Sequence, residues 1–196
     1  MGRPTPPTHR MSEPVEATRA ELRGNLVARC QNGLAGADGL ATVLFLLNGS
    51  ASYRFTAIYE FAPQRMRSVR LFDRRNPSLR IGADIPLEDA YCQLTAADGY
   101  ELQIANSLED PRLTTHAARE SVQSHVGVLL RTSDGRRMGT LCHFDFVPHP
   151  PNTDALAVLH AVRPFVEAHL RSQRGLTGKT RAETTAGGRN RTLTGR

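Results

Sequence analysis

From Ser124 to Asp145 two apolar runs flank an Asp-Gly pair: Ser124-His125-Val126-Gly127-Val128-Leu129-Leu130, then Asp134-Gly135, then Gly139-Thr140-Leu141-Cys142-His143-Phe144-Asp145. Asp-Gly readily adopts the positive φ of a tight hairpin turn, so the stretch predicts two antiparallel strands. Side chains alternate across a strand. His125, Gly127 and Leu129 therefore share one face, and Thr140, Cys142 and Phe144 share one face of the partner strand. The pattern thus puts a histidine and a cysteine on strands that read as central.

The remaining segments predict a sheet with helical cover. Val15, Leu22, Leu26, Cys30 and Leu34 recur at multiples of about one turn, giving a helix from Glu13 that the Gly33 to Gly39 stretch stops. Leu40, Val43, Leu44 and Leu47 have the i, i+3, i+4, i+7 spacing of a buried helix capped by Asn48-Gly49, although the run also suits a strand. Tyr53, Phe55, Ala57, Tyr59 and Phe61 alternate with Arg54, Thr56, Ile58 and Glu60, predicting a strand that turns at Ala62-Pro63-Gln64 and pairs with Met66 to Phe72. After a loop from Asp73 to Asp84, Pro86 opens a helix with Glu88 and Asp89 at its positive end, a stripe of Leu87, Ala90, Tyr91 and Leu94, and a stop at Gly99. A short strand at Leu102 to Ala105, a polar loop from Asn106 to Leu113 and a helical segment from Ala117 to Val122 precede the hairpin. The last helix runs from Asp154 to Leu170, where Pro164 is expected to kink or break it. The order defines an α+β domain: one antiparallel-dominated sheet with helices on both faces.

The net charge of +6 invites a nucleic-acid reading until it is located. Seven basic residues, Arg171, Arg174, Lys179, Arg181, Arg189, Arg191 and Arg196, stand against Glu183 alone, so the tail carries the whole excess. Its Gly, Thr and Arg composition cannot bury enough apolar surface to offset chain entropy, and it is expected to be a disordered, solvated tail. Nucleic-acid binding is not expected except through it. Cys30, Cys92 and Cys142 are odd in number and lack a disulfide-framework spacing, which fits a reducing compartment. With no signal-peptide core and no apolar run near the roughly 20 residues that span a bilayer, the expectation is a cytoplasmic protein without membrane contact.

Taken in order, Tyr91-Cys92 in a helix, a polar loop with Asp110-Pro111-Arg112, then Gly127, Asp134-Gly135, Gly139-Thr140-Leu141-Cys142 and Asp145 resemble the GAF family, the small sensory fold of bacterial signalling proteins. The resemblance covers about residues 36 to 170. One departure stands out: where the family usually has Gly-Val-Pro-Leu, this chain has Gly127-Val128-Leu129-Leu130, a more regular strand. The resemblance implies a ligand or docking cavity between the sheet and the region from Asp84 to Val122. It also implies that the first and last helices pack on the other face and join a homodimer. The expected organisation is an arm at 1–12, an N-terminal helix at 13–35, a GAF-like sensor domain at 36–170 and the basic tail at 171–196. The expected role is a non-catalytic sensor that binds an unidentified small molecule or signalling partner protein and relays the event through the helical dimer.

Strand alternation and the helix stripe give Phe55 or Tyr59, Tyr91, His125, Cys142 and Phe144 as the cavity wall, with His125 as the polar contact, and Cys92 and His116 join them as ligand-binding candidates. Free cysteines usually act as small buried hydrophobes, so inert packing of Cys92 and Cys142 is set against a thiol redox switch or thiol enzyme. The resemblance extends to a similar branch, the free-methionine sulfoxide reductases. It makes Cys92 the counterpart of a resolving cysteine there, but puts Ala117-Ala118 in the region of the catalytic cysteine, and His125, Cys142 and Phe144 where that branch has carboxylates. No catalytic residue is assigned. His116, His125 and His143 with Cys142 are residue types that zinc or copper take, yet no two have the spacing of a known metal site, so polar ligand contacts or capping are expected of them and no metal. The family's covalent bilin lacks its accompanying motifs here, and the cofactor stays open. Arg65, Arg67, Arg70, Arg74, Arg75 and Arg80 are expected to form a solvated hairpin edge, salt-bridged to Asp73 and Asp84.

Overall fold

The computed structural model describes residues 13–97, 99 and 101–186; the arm at 1–12 and the end of the basic tail at 187–196 lie outside the described residues. In chain order the elements are α1 (Glu13–Gly33), α2 (Gly39–Gly49), β1 (Phe55–Ala62), β2 (Arg65–Asp73), β3 (Ile85–Pro86), α3 (Tyr91–Ala97), β4 (Glu101–Ile104), β5 (Ser124–Arg131), β6 (Arg137–Asp145) and α4 (Thr153–Ala186). Single 3-10 turns at Leu87–Asp89, Pro111–Leu113 and Ala117–Arg119 punctuate the segments between them.

The strands form one sheet in the order β3-β2-β1-β6-β5-β4, with every neighbouring pair antiparallel. Both sequence hairpins form, and Gly135 takes the positive φ, +80°, that its turn needs. Helices α1, α2 and α4 cover one face. Val43, Leu44 and Leu47 of α2, Ile58 of β1, Val126, Val128 and Leu130 of β5, Leu141 of β6 and Leu159, Val162 and Val166 of α4 are buried together there. This is an α+β fold, one antiparallel sheet with α1, α2 and α4 on one face.

Two polar devices hold that layer. Asp38 caps α2, its side chain accepting from the Ala41 N–H at 3.4 Å, and Arg74 closes the other end by donating to the Asn48 carbonyl at 2.6 Å. At the base of the hairpin, Arg54 donates through Nε and Nη2 to the two oxygens of Asp73, each at 2.8 Å, while its backbone N–H donates to Asp145 at 2.9 Å. Those bonds hold the Asp73 carboxyl below its ordinary range.

Several expectations need correction. Tyr53 lies on the helical face, packed with His143, and not beside Phe55, because the strand period begins only at Phe55. The helix placed at Pro86 is broken: a 3-10 turn ends at Ala90, which is extended (φ −105°, ψ 128°), and α3 starts at Tyr91. Helix α4 continues through Pro164 and on to Ala186, past the end expected at Leu170. Its first added turn is held by partners on the sheet, with Arg171 donating to the Arg131 carbonyl and Arg174 2.7 Å from Glu60. In the arginine cluster, Arg70 pairs with Asp38 and Arg65 reaches the Asp84 carbonyl, whereas Asp73 is taken by Arg54. No helix among the described residues is long and apolar enough to cross a membrane.

Candidate functional site

The other face of the sheet is covered by shorter elements: the Leu87–Asp89 turn, α3 and the Ala117–Arg119 turn. Phe55, Ala57 and Tyr59 of β1 and Thr140, Cys142 and Phe144 of β6 point here, because alternation that sends Ile58 and Leu141 to the helical core sends their neighbours the opposite way. On β5, Gly127 stands directly opposite Cys142. A Cβ on Gly127 would lie 2.7 Å from His125 Cε1 and 2.9 Å from Cys142 Cβ, so the missing side chain is what lets the imidazole fold back along the strand toward the cysteine.

Helix α3 supplies the lid. Its Tyr91 donates through the hydroxyl to the Val122 carbonyl at 3.0 Å, tying helix to loop, and its ring meets His125 edge-on at 5.8 Å. The next residue, Cys92, then drops onto the sheet, where the Thr140 hydroxyl donates to its sulfur at 3.0 Å. The result is a pocket of about 90 Å³ walled by Tyr59, Tyr91, Cys92, His125, Cys142 and Phe144 from the sequence candidates. Ile85, Asp89, Ala90, Ala118 and Val122 complete the wall and were not singled out. Their signal was positional, since they lie in the Asp84 to Val122 stretch expected to cover the cavity.

Two candidates stand behind the wall. Phe55 stacks on Phe144 at 4.7 Å and lies beneath the Arg54 guanidinium. His116 accepts from the Ala118 N–H at 3.2 Å and packs against Tyr91 at 4.7 Å, a capping and supporting position; burial lowers its pKa. His143, by contrast, points into the helical core. Its Nδ1 lies 2.7 Å from Thr56 Oγ1, its ring stacks on Tyr53, and burial pushes its pKa down to about 3.

Within the pocket, Cys92 Sγ, Cys142 Sγ and a His125 ring nitrogen all lie within 4.8 Å of one another, and all three residues are buried. Cys92 is the thiol that ionises first: the Cys142 S–H stabilises its sulfur, and the His125 ring and Thr140 hydroxyl outweigh burial together with it, holding its pKa well below the thiol range. Cys142 is held well above that range, because its proton serves Cys92 and burial disfavours a further charge. Although near Cys92, both His125 nitrogens are buried without a partner at hydrogen-bond geometry among the described residues. Unpaired buried polar groups cost about 1–3 kcal/mol each, which makes this imidazole the least satisfied group in the pocket wall. Cys30 lies in the helical core, where burial raises its pKa to about 11.

A larger cleft of about 600 Å³ opens beside α2 and α4, but across it Arg70 already pairs with Asp38 and Arg174 with Glu60.

No family model matches the sequence, and no curated protein matches it. Solved structures do match the fold. The GAF domain of an Acinetobacter phosphoenolpyruvate-protein phosphotransferase is similar at TM-score 0.64 and 14% identity, over 79% of this chain and 95% of that one. The corresponding GAF domain from Coxiella burnetii is similar at TM-score 0.59 and 12% identity, over 80% and 98%. The free methionine-R-sulfoxide reductase of Neisseria meningitidis, solved with its substrate, is similar at TM-score 0.60 and 16% identity, over 87% and 98%. At these identities the likeness establishes the GAF-like fold.

Proposed function

We propose that the protein is a sensor domain that takes a small ligand into the pocket between α3 and the sheet, and relays occupancy through β5 and β6 to the helices on the other face. The observation that carries this reading is His125, buried with neither nitrogen at hydrogen-bond geometry to a partner among the described residues, at the wall of a mostly apolar pocket. Polar groups placed this way orient ligands in apolar concavities. The volume of about 90 Å³ restricts the occupant to a few heavy atoms. Ala118 lines the wall in the region where the resemblance would call for the reductases' catalytic cysteine, which supports a binding role over that catalysis.

The relay has a route. Strand β5 forms the wall through His125 and the helical core through Val126, Val128 and Leu130, and its Arg131 N–H donates to Glu167 of α4 at 2.8 Å. Helix α1 leaves Leu22 64% exposed, the kind of surface a homodimer or signalling partner would cover. Native mass spectrometry of freshly purified protein tests ligand binding. A small adduct should be present and should be lost in His125→Ala, while the melting temperature stays within about 3 °C. Strong destabilisation with the adduct retained would make the histidine structural. For the dimer, light scattering that finds a monomer at high concentration, unchanged on removal of residues 13–35, rules it out.

A second reading, a thiol redox switch, is favoured by one observation: the two pocket sulfurs lie within 4.8 Å of each other, with Cys92 the more readily ionised. A peroxide would take two electrons from the pair, forming the Cys92–Cys142 disulfide with release of water. Non-reducing peptide mapping after peroxide treatment detects that bond or excludes it.

A further inference from the structure

Three soft donors converge on the pocket from three separate elements: Cys92 from α3, His125 from β5 and Cys142 from β6. No local sequence spacing could have revealed them, because each lies more than thirty residues from Cys92 or on the opposite strand of the hairpin. Thiolate and imidazole bonds of about 2.3 and 2.0 Å around a tetrahedral centre put ligand atoms about 3.5 Å apart. The present mutual separations, all within 4.8 Å, are close to that spacing.

We propose that Cys92, His125 and Cys142 form a binding site for Zn²⁺, with the fourth position open to the pocket. This deepens the sensor reading by naming the chemistry of the occupant, and it rests on that reading for its consequence, though not for its geometry.

Three observations carry it. His125 has no hydrogen-bond partner for either nitrogen among the described residues, although it is 97% buried by its 3% exposure, and a metal ion would satisfy one of them. The Thr140 hydroxyl already donates to Cys92 Sγ at 3.0 Å, the outer-sphere bond that orients a thiolate ligand. Charge then selects the ion. Zn²⁺ with two thiolates and a neutral imidazole is electrically neutral, as an apolar pocket requires, whereas monovalent copper on the same set leaves a buried negative charge. Any proton still held by the two sulfurs, that of Cys142 above all, leaves to solvent as the ion enters. Three protein ligands and an open position accept a water or a small anion from the pocket, as exchangeable zinc sites do.

Gly127 fits the same purpose. Any side chain there would strike His125 Cε1 and Cys142 Cβ, separating two of the three ligands.

The test is a zinc titration of reduced, chelator-stripped protein against a chromophoric competitor. One zinc per chain is expected in the wild type and in Cys30→Ser, whose cysteine lies on the other face of the sheet. Affinity should fall at least 100-fold in Cys92→Ser and Cys142→Ser, at least tenfold in His125→Ala, and about 10–100-fold in Thr140→Val. In case these variants fold poorly, two measurements use the wild type alone. Zinc should protect Cys92 and Cys142 from alkylation without changing Cys30, and Co²⁺ should give a thiolate charge-transfer band with the intense visible spectrum of a tetrahedral site.

Failure of folded, reduced wild type to compete for zinc overturns the site, as does undiminished binding in the Cys92→Ser, Cys142→Ser double variant. The two readings separate cleanly. Stoichiometric zinc that leaves hydrogen exchange in α1 and α4 unchanged upholds the site and removes the sensor role. A different adduct that depends on His125, in a protein that takes no zinc, does the reverse.

Discussion

The two buried histidines of the β5–β6 hairpin lie on opposite faces of one sheet, and their surroundings differ in kind. His143 is engaged through Nδ1 by Thr56, stacked on Tyr53 and enclosed by the helical core, with Nε2 buried and without a partner among the described residues. His125 lies against a small pocket, beside Cys92, with neither nitrogen at hydrogen-bond geometry to a partner among the described residues. The first is anchored through one nitrogen inside a packed core; the second, anchored through neither, faces a pocket with room for a partner. The same contrast runs through the sheet, since the helical face collects a large apolar cluster from α1, α2 and α4, while the other face collects aromatic rings, two thiols and an imidazole. One strand can serve both because alternation makes its two sides chemically independent.

Neighbouring residues of β6 give the largest expected effect. Leu141→Ala opens a cavity among Ile58, Val128 and the helices, and should cost about 2–5 kcal/mol, lowering the melting temperature by about 5–20 °C. Cys142→Ala, one residue on, removes a single sulfur from the wall of an existing pocket and should cost about 1 kcal/mol. Equal losses would erase the distinction between a packed face and a binding face. His143→Leu belongs with the packed face. It removes the bond to Thr56 and should cost about 2 kcal/mol in urea denaturation.

These contrasts also show what the sequence could and could not disclose. Period-two alternation around Asp134-Gly135 gave the hairpin and sorted His125, Cys142 and Phe144 onto one face, because those relations are local. Tyr53 falls on the side opposite to the one its spacing predicts, because alternation holds only inside a strand, and the strand begins two residues later. The continuous helix expected after Pro86 failed at Ala90, where the extended backbone that re-aims α3 at the sheet has no compositional mark. Cys92 is a candidate from its residue type and position, but its approach to His125 depends on how α3 is carried across the sheet. That is tertiary information, and for the same reason the metal-ligand spacing was invisible.

Asp73 sharpens the comparison by belonging to neither face. It accepts two bonds from Arg54 and one from the Arg75 N–H, at 2.9 Å, at the corner where β1, β2 and β6 meet. Asp73→Asn should cost about 2 kcal/mol at neutral pH. The carboxyl's pKa is depressed in the folded state, so the unfolded chain takes up its proton first. Its contribution is complete above about pH 4, the unfolded value, and is lost as pH falls through the lower folded value. The stability gap between wild type and Asp73→Asn should therefore be full at pH 7 and shrink in acid, as paired denaturation curves would show. A gap independent of pH would mean the arginine contact contributes through packing and not through charge.

An effect of similar size is expected at Gly127, where the two histidine environments part most clearly in their tolerance. Gly127→Ala puts a methyl against His125 and Cys142 and should cost about 2 kcal/mol, because the imidazole can yield into the pocket beside it while Cys142 Cβ, fixed to its strand, cannot. The same displacement should weaken zinc binding more than it lowers stability. If stability falls steeply and the ring stays in place, His125 is clamped and the pocket is stiffer than its walls suggest.

The smallest effect is the most discriminating because its sign is at issue. His125→Leu replaces a buried imidazole, both nitrogens unpaired, by an apolar group of similar size. Removing unsatisfied polar atoms from an interior is neutral or stabilising, by up to about 1 kcal/mol, whereas the same change at His143 breaks a bond that exists. Metal-free protein should therefore melt at the same temperature or slightly higher with His125→Leu, and lower with His143→Leu. Adding Zn²⁺ should raise the wild type above both, since an ion bound only to the folded state stabilises in proportion to the logarithm of its concentration over its dissociation constant. If His125→Leu destabilises the metal-free protein as much as His143→Leu does, the imidazole already has its partner inside the fold, and neither zinc nor any other ligand is needed to explain why a histidine stands there.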